Sequence, residues 1–311
     1  MLELNRIYHG DCLNLLKNIK ESSIDLILSD IPYGISYDKW DVIHSNTNSS
    51  LLGHSEAQLK AGKIFKNRGK PLNGWSESDK KIPQEYYNWC LQWAGDWFNV
   101  LKPGASVFVF AGRRMTHRCI SALEDKGFIF KDMIAWNKTK APHRAQRISC
   151  VFDRREDTYN SQKWEGWKVG NLRPIFEPIL WLMKPYKVGG TIADNLIDNE
   201  LGAWNEEILA KYGQLPNNLI SISSNKNDTG LHPTQKPLSL MELLIELTTK
   251  PNQIVLDPFC GSGTTLLAAK NLDRKFIGIE KEKEYYDIAS SRIISKDSIS
   301  NNIQNELFKN L

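Results

Sequence analysis

A carboxylate and an aromatic ring follow an apolar run near the start of the chain. The run "IDLILSD" ends at Asp30, and Ile31, Pro32 and Tyr33 come directly after it. A nearly continuous apolar run of this length predicts a strand buried on both faces of a sheet. Ligands of open parallel sheets bind at the carboxyl ends of strands, so this turn is a candidate functional site.

A second candidate is the stretch "IVLDPFCGSGTT" over residues 254–265, which predicts a strand, a glycine-containing turn and a helix start. Gly261 and Gly263 permit a tight turn and the close approach of a ligand to the backbone. Glu280 ends the next predicted strand, where an acid typically accepts hydrogen bonds from ribose hydroxyls. The alternative is a purely structural turn with Glu280 on the surface. The turn lacks the G-x-G-x-x-G spacing of a dinucleotide-binding oxidoreductase, and Asp257 would repel a pyrophosphate.

Three segments resemble one family. "DPFCGSGTT" closely resembles the S-adenosylmethionine-binding motif of amino-group DNA methyltransferases, and "SDIPYG" resembles their catalytic D-P-P-Y motif. "HPTQKP" (232–237) resembles the segment that precedes their cofactor turn. The order of the motifs is typical of the β class, which is circularly permuted. The resemblance covers roughly residues 1–37, 85–137 and 176–295, and weakens in 38–84 and 139–230.

The resemblance implies an α/β, Rossmann-like methyltransferase fold with a mainly parallel sheet, helices on both faces and an inserted target-recognition region. It implies that a methyl group passes from S-adenosylmethionine to an exocyclic amine of double-stranded DNA, on a base flipped out of the duplex. Asp30 would accept one N–H of that amine, the backbone carbonyl of Ile31 would accept the other, Pro32 would keep the turn rigid, and Tyr33 would stack on the base. The structural alternatives are a helix cap for Asp30 and core packing for Tyr33.

The target base and the effect of Ile31 stay open. An aspartate at the first motif position favours N6 of adenine, and N4 of cytosine is the alternative. Ile31 replaces the usual proline, which adds a free N–H and removes some rigidity. We expect activity, and the further alternative is a DNA-binding member of the fold with weakened catalysis.

By the same resemblance, Asp11 would lie near the adenine of the cofactor, and Thr234 and Lys236 near its methionine end. The predicted cofactor-binding residues are Asp11, Thr234, Lys236, Asp257, Pro258, Phe259, Gly261, Ser262, Gly263, Thr264 and Glu280. We predict no metal site, because the five cysteines form no CxxC pair and the zinc deaminase signature is absent.

The net charge is only +4, but positive charge gathers in the middle of the chain. Residues 137–187 hold eleven basic and five acidic side chains, and residues 60–70 hold five basic ones and no acid. Such a distribution is typical of a polyanion-binding region, although a lysine-rich solvated face would look the same. The candidate DNA contacts are Lys63, Lys66, Arg68, Lys140, Arg144, Arg147, Arg154 and Arg155.

Alternating apolar runs and helical patterns predict the elements that position these residues. We expect strands at 6–10, 24–30, 105–112, 128–138, 177–184, 253–259 and 275–280, and helices at 12–19, 84–101, 238–250 and 264–272, with "KPG" (102–104) stopping the second helix. The predicted catalytic domain comprises 1–137 and 176–295. Residues 38–84 would form a substrate loop, 138–230 a target-recognition region that overlaps the strand at 177–184, and 296–311 a polar tail.

The whole chain has 311 residues and a hydrophobic share of 41%, which is enough for a sizeable core. No signal peptide and no apolar run of about 20 residues is evident, so we expect a cytoplasmic protein without a membrane span. The cysteine spacing predicts free thiols. The resemblance allows a cognate restriction endonuclease as partner and either a monomer or a homodimer.

Overall fold

One eight-stranded sheet positions both candidate turns. The computed structural model describes residues 1–34, 77–138, 146–170, 172–223 and 235–294. The sheet has the order β1-β10-β9-β2-β3-β7-β4-β8, and β5 pairs with β6 in a separate two-stranded sheet. The strands are β1 (Arg6–His9), β2 (Ile24–Asp30), β3 (Leu101–Phe110), β4 (Ile129–Asn137), β5 (Gln146–Arg147), β6 (Lys168–Val169), β7 (Phe176–Met183), β8 (Leu219–Ser221), β9 (Ile254–Asp257) and β10 (Lys275–Glu280).

The pairing of the large sheet is parallel except at β7, which runs antiparallel to both β3 and β4. The expected mainly parallel α/β fold is therefore confirmed. The helices are α1 (Cys12–Leu15, continued by a 3₁₀ turn over Leu16–Asn18), α2 (Glu77–Val100), α3 (Thr116–Asp125), α4 (Ser149–Asp153), α5 (Thr158–Lys163), α6 (Ile192–Asn199), α7 (Glu206–Lys211), α8 (Leu238–Thr248), α9 (Thr264–Asn271) and a helix over residues 283–294.

Helices cover both faces of the sheet because the central strands are apolar on both sides. Ile27 of β2 packs into the buried cluster that includes α2 and α3, whereas Leu26 and Leu28 pack into the cluster that includes α8 and α9. Side chains alternate between the two faces along a strand, so a continuous apolar run supplies both clusters at once.

The strand order brings the two candidate turns together. β2 lies next to β9 with Ile27 opposite Leu256, although the two strands are far apart in sequence. Because β1, β10, β9, β2 and β3 are parallel, their carboxyl ends share one edge of the sheet. Asp30, Asp257 and Glu280 end three of these strands, which confirms the expected juxtaposition of the two turns.

The helix end predicted at "KPG" is confirmed to within one residue, but "KPG" itself lies in a strand. α2 ends at Val100, and residues 102–104 already belong to β3. Leu101 pairs with Ile24 and Ser106 pairs with Leu26, so β3 bulges between these two pairs. Gly104 has a φ of +80° in this bulge. The proline and glycine that predicted a helix stop therefore lie in this β-bulge.

α2 starts earlier than predicted. Residues 77–84 were expected to belong to the substrate loop, but the helix begins at Glu77 and contains Pro83. Ile82 is buried on the same face as Tyr86 and Cys90, and this burial outweighs the lost backbone N–H of the proline. The remainder of the predicted loop, 38–76, lies outside the described residues, as does most of the predicted tail.

Several short elements were not predicted. α3 lies between two predicted strands, α4 to α7 lie in stretches without clear periodicity, and β8 has only three residues. Short helices bury few apolar side chains, so they leave a weak hydrophobic pattern. All five cysteines carry free thiols. Within the described ranges, we find no helix that is long and apolar enough to cross a membrane.

Candidate functional site

A hydrogen bond links the two candidate turns at the shared sheet edge. The hydroxyl of Ser29, one residue before Asp30, donates to Oδ1 of Asp257 at 2.7 Å. Both side chains are buried. The bond fixes the end of β2 to the end of β9, so the turn after Asp30 and the glycine turn after Asp257 have a defined relative position.

Asp30 is a partly exposed carboxylate at this edge, with 22% of its side chain exposed. The ammonium of Lys236 lies 2.5 Å from its Oδ2, and the hydroxyl of Tyr33 donates to its Oδ1 at 3.0 Å. Burial raises the pKa of Asp30, the neighbouring carboxylate of Glu177 raises it too, and Lys236 opposes both effects. Asp30 therefore combines partial exposure with an ion pair to a buried ammonium.

Glu177 is the site residue that the sequence analysis missed. It is the one charged residue in the β7 sequence "FEPILWLM", and its side chain is 8% exposed. Its Oε1 lies 3.1 Å from Nζ of Lys236, and it also contacts the ammonium of Lys138 and the hydroxyl of Tyr33. Burial alone would raise the pKa of Glu177, but Lys236 and Lys138 lower it to about 2. A single acid in an otherwise apolar strand was the available signal.

Lys236 is nearly completely buried, with 5% of its side chain exposed. Burial lowers its pKa, but Asp30 and Glu177 outweigh that effect and raise it, so the ammonium stays charged. Its Nζ also lies 5.0 Å from the centroid of the Phe110 ring and 5.5 Å from that of Tyr33. The structure thus places this predicted cofactor-binding residue directly on Asp30.

Tyr33 is wedged between this ionic cluster and the backbone after β3. A Cβ added to Gly112 would lie 2.9 Å from Cβ of Tyr33, so only glycine fits opposite the ring. Burial and the neighbouring Asp30 and Glu177 raise the pKa of the phenol well above its usual value. Tyr33 therefore stays neutral, and its hydroxyl holds the ring in one orientation.

Packing fixes the peptide between Asp30 and Tyr33. The side chain of Ile31 is 1% exposed and belongs to the same buried cluster as Tyr86. The hydroxyl of Tyr86 donates to the carbonyl oxygen of Pro32 at 3.2 Å. The side chain that replaces the usual proline thus fills the core, and α2 restrains the turn from the other side.

The glycine turn is built around left-handed backbone. Gly261 has a φ of +50° and Gly263 a φ of +78°, and residues other than glycine rarely adopt this backbone conformation. A Cβ on Gly263 would also lie 3.0 Å from Cβ of Ala289 on the last helix. At positions 261 and 263 the turn between β9 and α9 therefore exposes backbone without a side chain.

Glu280 points its carboxylate at this turn. Oε2 accepts the N–H of Gly261 and Oε1 accepts that of Glu282, both at 2.8 Å. Burial raises the pKa of Glu280, and these backbone donors partly oppose the effect. Each oxygen keeps a second lone pair for another donor. Asp11 lies two residues after the end of the adjacent β1. It caps α1 by accepting the N–H of Leu13, and it pairs with Lys281 at 3.0 Å.

Asp257 serves the framework of the turn. Its Oδ1 accepts the Ser29 hydroxyl and, at 3.2 Å, the N–H of Phe259, and Thr265 adds a side-chain hydrogen bond. Burial raises its pKa to about 7, although these donors oppose the effect. Pro258, the next residue, is buried as well.

The other predicted turn residues contact neighbouring helices. Nη1 of Arg292 donates to the carbonyl of Ser262 at 2.5 Å and to the hydroxyl of Thr264 at 3.2 Å. Phe259 packs against tryptophans of α2, with ring centroids 5.7 Å from Trp89 and 6.1 Å from Trp93. The turn is therefore fixed from both sides of the sheet.

The groups at this edge of the sheet fit S-adenosylmethionine. Two carboxylates with spare lone pairs, Asp11 and Glu280, suit hydroxyl and amino groups, and bare backbone at Gly261 permits close approach. The acidic character of the edge favours a cationic ligand and disfavours a phosphate. In the residues that the structure describes, no group of histidine, cysteine, aspartate and glutamate side chains could hold a metal ion.

The candidate DNA contacts are only partly described. Arg147 is at the end of β5, and Arg154 and Arg155 follow α4; all three are exposed. The remaining candidates lie outside the described residues, as does Thr234 of the cofactor set: Lys63, Lys66, Arg68, Lys140 and Arg144.

Comparisons with known proteins agree with this geometry. Residues 24–291 match the family described as DNA methylase. The Type II methyltransferase M.HindIII of Haemophilus influenzae is 59% identical over 292 residues, which cover 92% of this chain and 94% of that protein. The Type II methyltransferase M.BglII of Bacillus subtilis is 29% identical over 97% of this chain and 72% of its own length.

Solved structures share the fold. M1.HpyAVI has a TM-score of 0.53 at 24% identity and covers 93% of this chain and 98% of its own. The PvuII DNA methyltransferase, described as cytosine-N4-specific, has a TM-score of 0.60 at 19% identity. The match covers 98% of this chain and 94% of the PvuII chain. Because the family match spans most of the chain and a 59% identical relative spans nearly all of it, this chain belongs to the DNA methylase family and is a site-specific, S-adenosylmethionine-dependent DNA methyltransferase.

Proposed function

We propose that this DNA methyltransferase methylates N6 of adenine in double-stranded DNA, with Asp30 as the residue that holds the target amine. The observation that carries the proposal is the partly exposed carboxylate of Asp30 at the end of β2, next to the glycine turn of β9. The aspartate at this motif position favours adenine over cytosine.

The target amine is conjugated with its ring and is a weak nucleophile. Asp30 accepts one of its N–H groups, and the carbonyl of Ile31 accepts the other. The two acceptors orient the nitrogen, and the negative charge of Asp30 stabilises the positive charge that develops there in the transition state. Core packing of Ile31 and the Tyr86 hydrogen bond supply the rigidity that a proline would give. This argues for an active enzyme over a weakened member of the fold.

Tyr33 stacks on a base that has left the duplex, since an amine inside the helix cannot reach the site. Its hydroxyl bonds keep the ring in place while the base enters. S-adenosylmethionine supplies an electrophilic methyl group. Glu280 and Asp11 would hold its hydroxyl and amino groups, the backbone around Gly261 would line it, and Lys236 with Thr234 would hold its methionine end.

We propose that Arg147, Arg154 and Arg155 contact DNA phosphates or guanines. In this assignment residues 1–137 and 176–295 form the catalytic domain, and 138–230 contain the target-recognition region. The relatives are named Type II methyltransferases, which supports a role beside a restriction endonuclease.

Nucleoside mass spectrometry tests the target base. Purified protein is incubated with S-adenosylmethionine and methylation-free duplex DNA, and the DNA is digested to nucleosides. N6-methyladenine is the expected product, and N4-methylcytosine would overturn the adenine assignment. The matched variant Asp30→Asn keeps the shape and removes the charge; it should lose about 10²–10³-fold in rate while it still binds the cofactor in calorimetry.

A second assay tests the restriction role. DNA treated with the wild-type protein is digested with a panel of Type II restriction endonucleases, and it should resist at least one that cuts the untreated DNA. Normal cleavage by the whole panel of DNA that carries the new methyl mark would assign this chain to a recognition sequence outside the panel.

A further inference from the structure

Lys236 is shared between two carboxylates. Its Nζ lies 2.5 Å from Oδ2 of Asp30 and 3.1 Å from Oε1 of Glu177. Lys236 comes from the segment before α8, Asp30 from β2 and Glu177 from β7, so three elements that are distant in sequence meet at one ammonium. With 5% of its side chain exposed, this ammonium exchanges one carboxylate for another far more cheaply than it reaches water.

The proposed role of Asp30 conflicts with its ion pair. While Lys236 is bound to Oδ2 of Asp30, that oxygen cannot accept a hydrogen bond from the target amine as readily. The ammonium also partly neutralises the negative charge of Asp30. Lys236 must therefore move off Asp30 when the amine arrives. In a buried site this movement needs a second anion, because an unpaired ammonium would cost several kcal/mol.

Glu177 has the position and the negative charge that this second anion requires. Lys138, on the far side of Glu177, keeps the carboxylate ionised even while Lys236 is bound to Asp30. Tyr33 contacts both carboxylates and can keep a hydrogen bond whichever one Lys236 approaches. The described part of the cluster holds two carboxylates and two ammonium groups, so a shift of Lys236 toward Glu177 leaves the total charge balanced.

We propose that Glu177 is a positioning residue that draws Lys236 away from Asp30 and so opens Asp30 for the target amine. The proposal rests on the proposed role of Asp30. Glu177 touches neither base nor methyl donor in it and acts through Lys236 alone.

Single-turnover methyl transfer on duplex DNA tests the proposal with Glu177→Gln, which keeps the shape and removes the charge. We expect the rate constant to fall at least tenfold, with DNA and cofactor dissociation constants within twofold of the wild-type values. Glu177→Asp, which keeps the charge on a shorter stem, should recover part of the rate. Thermal melting checks the fold of each variant. A wild-type rate in a folded Glu177→Gln protein would overturn the proposal.

The pH profile supplies a readout that a merely structural role would not change. Asp30 faces Glu177, Lys236, Tyr33 and Asp257, and the negative charge of Glu177 raises the pKa of Asp30. The acidic limb of the rate profile should therefore move to lower pH in Glu177→Gln. An unmoved limb would contradict the proposal.

A double-mutant cycle separates action through Lys236 from a general effect. Because Lys236 is also assigned to the cofactor, each variant is measured at a saturating cofactor concentration; in a Lys236→Gln background, Glu177→Gln should then change the rate less than twofold. An equal tenfold loss in both backgrounds would mean that Glu177 acts independently of Lys236, which overturns the proposal. The cycle is measured on total methyl transfer, so N4-methylcytosine as the product would refute the adenine assignment and leave the Glu177 result readable. A wild-type protein that transfers no methyl group would refute both.

Discussion

Gly112 gives the sharpest steric prediction. A Cβ at this position would lie 2.9 Å from Cβ and 3.1 Å from Cγ of Tyr33. Carbon atoms in ordinary contact are about 3.5–4.0 Å apart, so Gly112→Ala requires a shift of roughly 0.6–1 Å. The carbonyl of Gly112 accepts the N–H groups of Met115 and Thr116, which hold it at the start of α3. Tyr33 must therefore be the group that moves.

The shift should reach the site through the tyrosine hydroxyl. That hydroxyl lies 3.0 Å from Asp30 Oδ1 and 3.2 Å from Nζ of Lys236, and a displacement of this size breaks at least one of these contacts. A misplacement of about 1 Å can cost about 10²-fold in rate, or roughly 2.7 kcal/mol. We expect a loss of this order in single-turnover transfer of labelled methyl groups to DNA, with overpacking costing about 1–3 kcal/mol of stability.

A matched glycine supplies the control. A Cβ at Gly95, inside α2, would meet only the flexible side chain of Lys126, at 3.9 Å. Gly95→Ala should keep the wild-type rate and, by helix propensity, raise stability slightly. In a Tyr33→Gly background, which removes the Cβ that the new methyl group would meet, Gly112→Ala should have no further effect on rate. A folded Gly112→Ala protein with a wild-type rate would refute the steric reasoning.

Three further predictions concern the turn and the DNA surface. Asp257 has a pKa raised to about 7 by burial, so its protonated form stabilises the fold below the unfolded pKa of 3.8, and this contribution disappears as the pH rises through about 7. Asp257→Asn should therefore raise the melting temperature of the cofactor-free protein at pH 8 and not at pH 3.5; equal shifts at both would contradict the linkage. Gly263→Ala, at a φ of +78° and 3.0 Å from Ala289, should weaken cofactor binding at least tenfold in calorimetry, and unchanged binding would show that the turn tolerates a side chain. Replacing both Arg154 and Arg155 by alanine should lower the salt dependence of DNA binding by a log–log slope of about 2, whereas an unchanged slope would remove them from the interface.

Much of the fold could be predicted from the sequence, because a strongly periodic or apolar segment indicates its own secondary structure. β2 and β10 match their predicted bounds, and α8 and α9 begin at their predicted first residues. The short helices α4 to α7 could not be predicted, since none of them is long enough to show an extended apolar face.

The sequence by itself determined the two turns, the strands that carry them and the carboxylates at the strand ends, because each motif is a continuous stretch whose conformation is local. Only the tertiary structure decided that Lys236 contacts Asp30, that Glu177 lies 3.1 Å from the same ammonium, and that Gly112 limits the position of Tyr33. These contacts join β2, β3, β7 and the segment before α8, which are far apart along the chain. Their meeting depends on strand order, and strand order is set by the burial of both sheet faces as a whole.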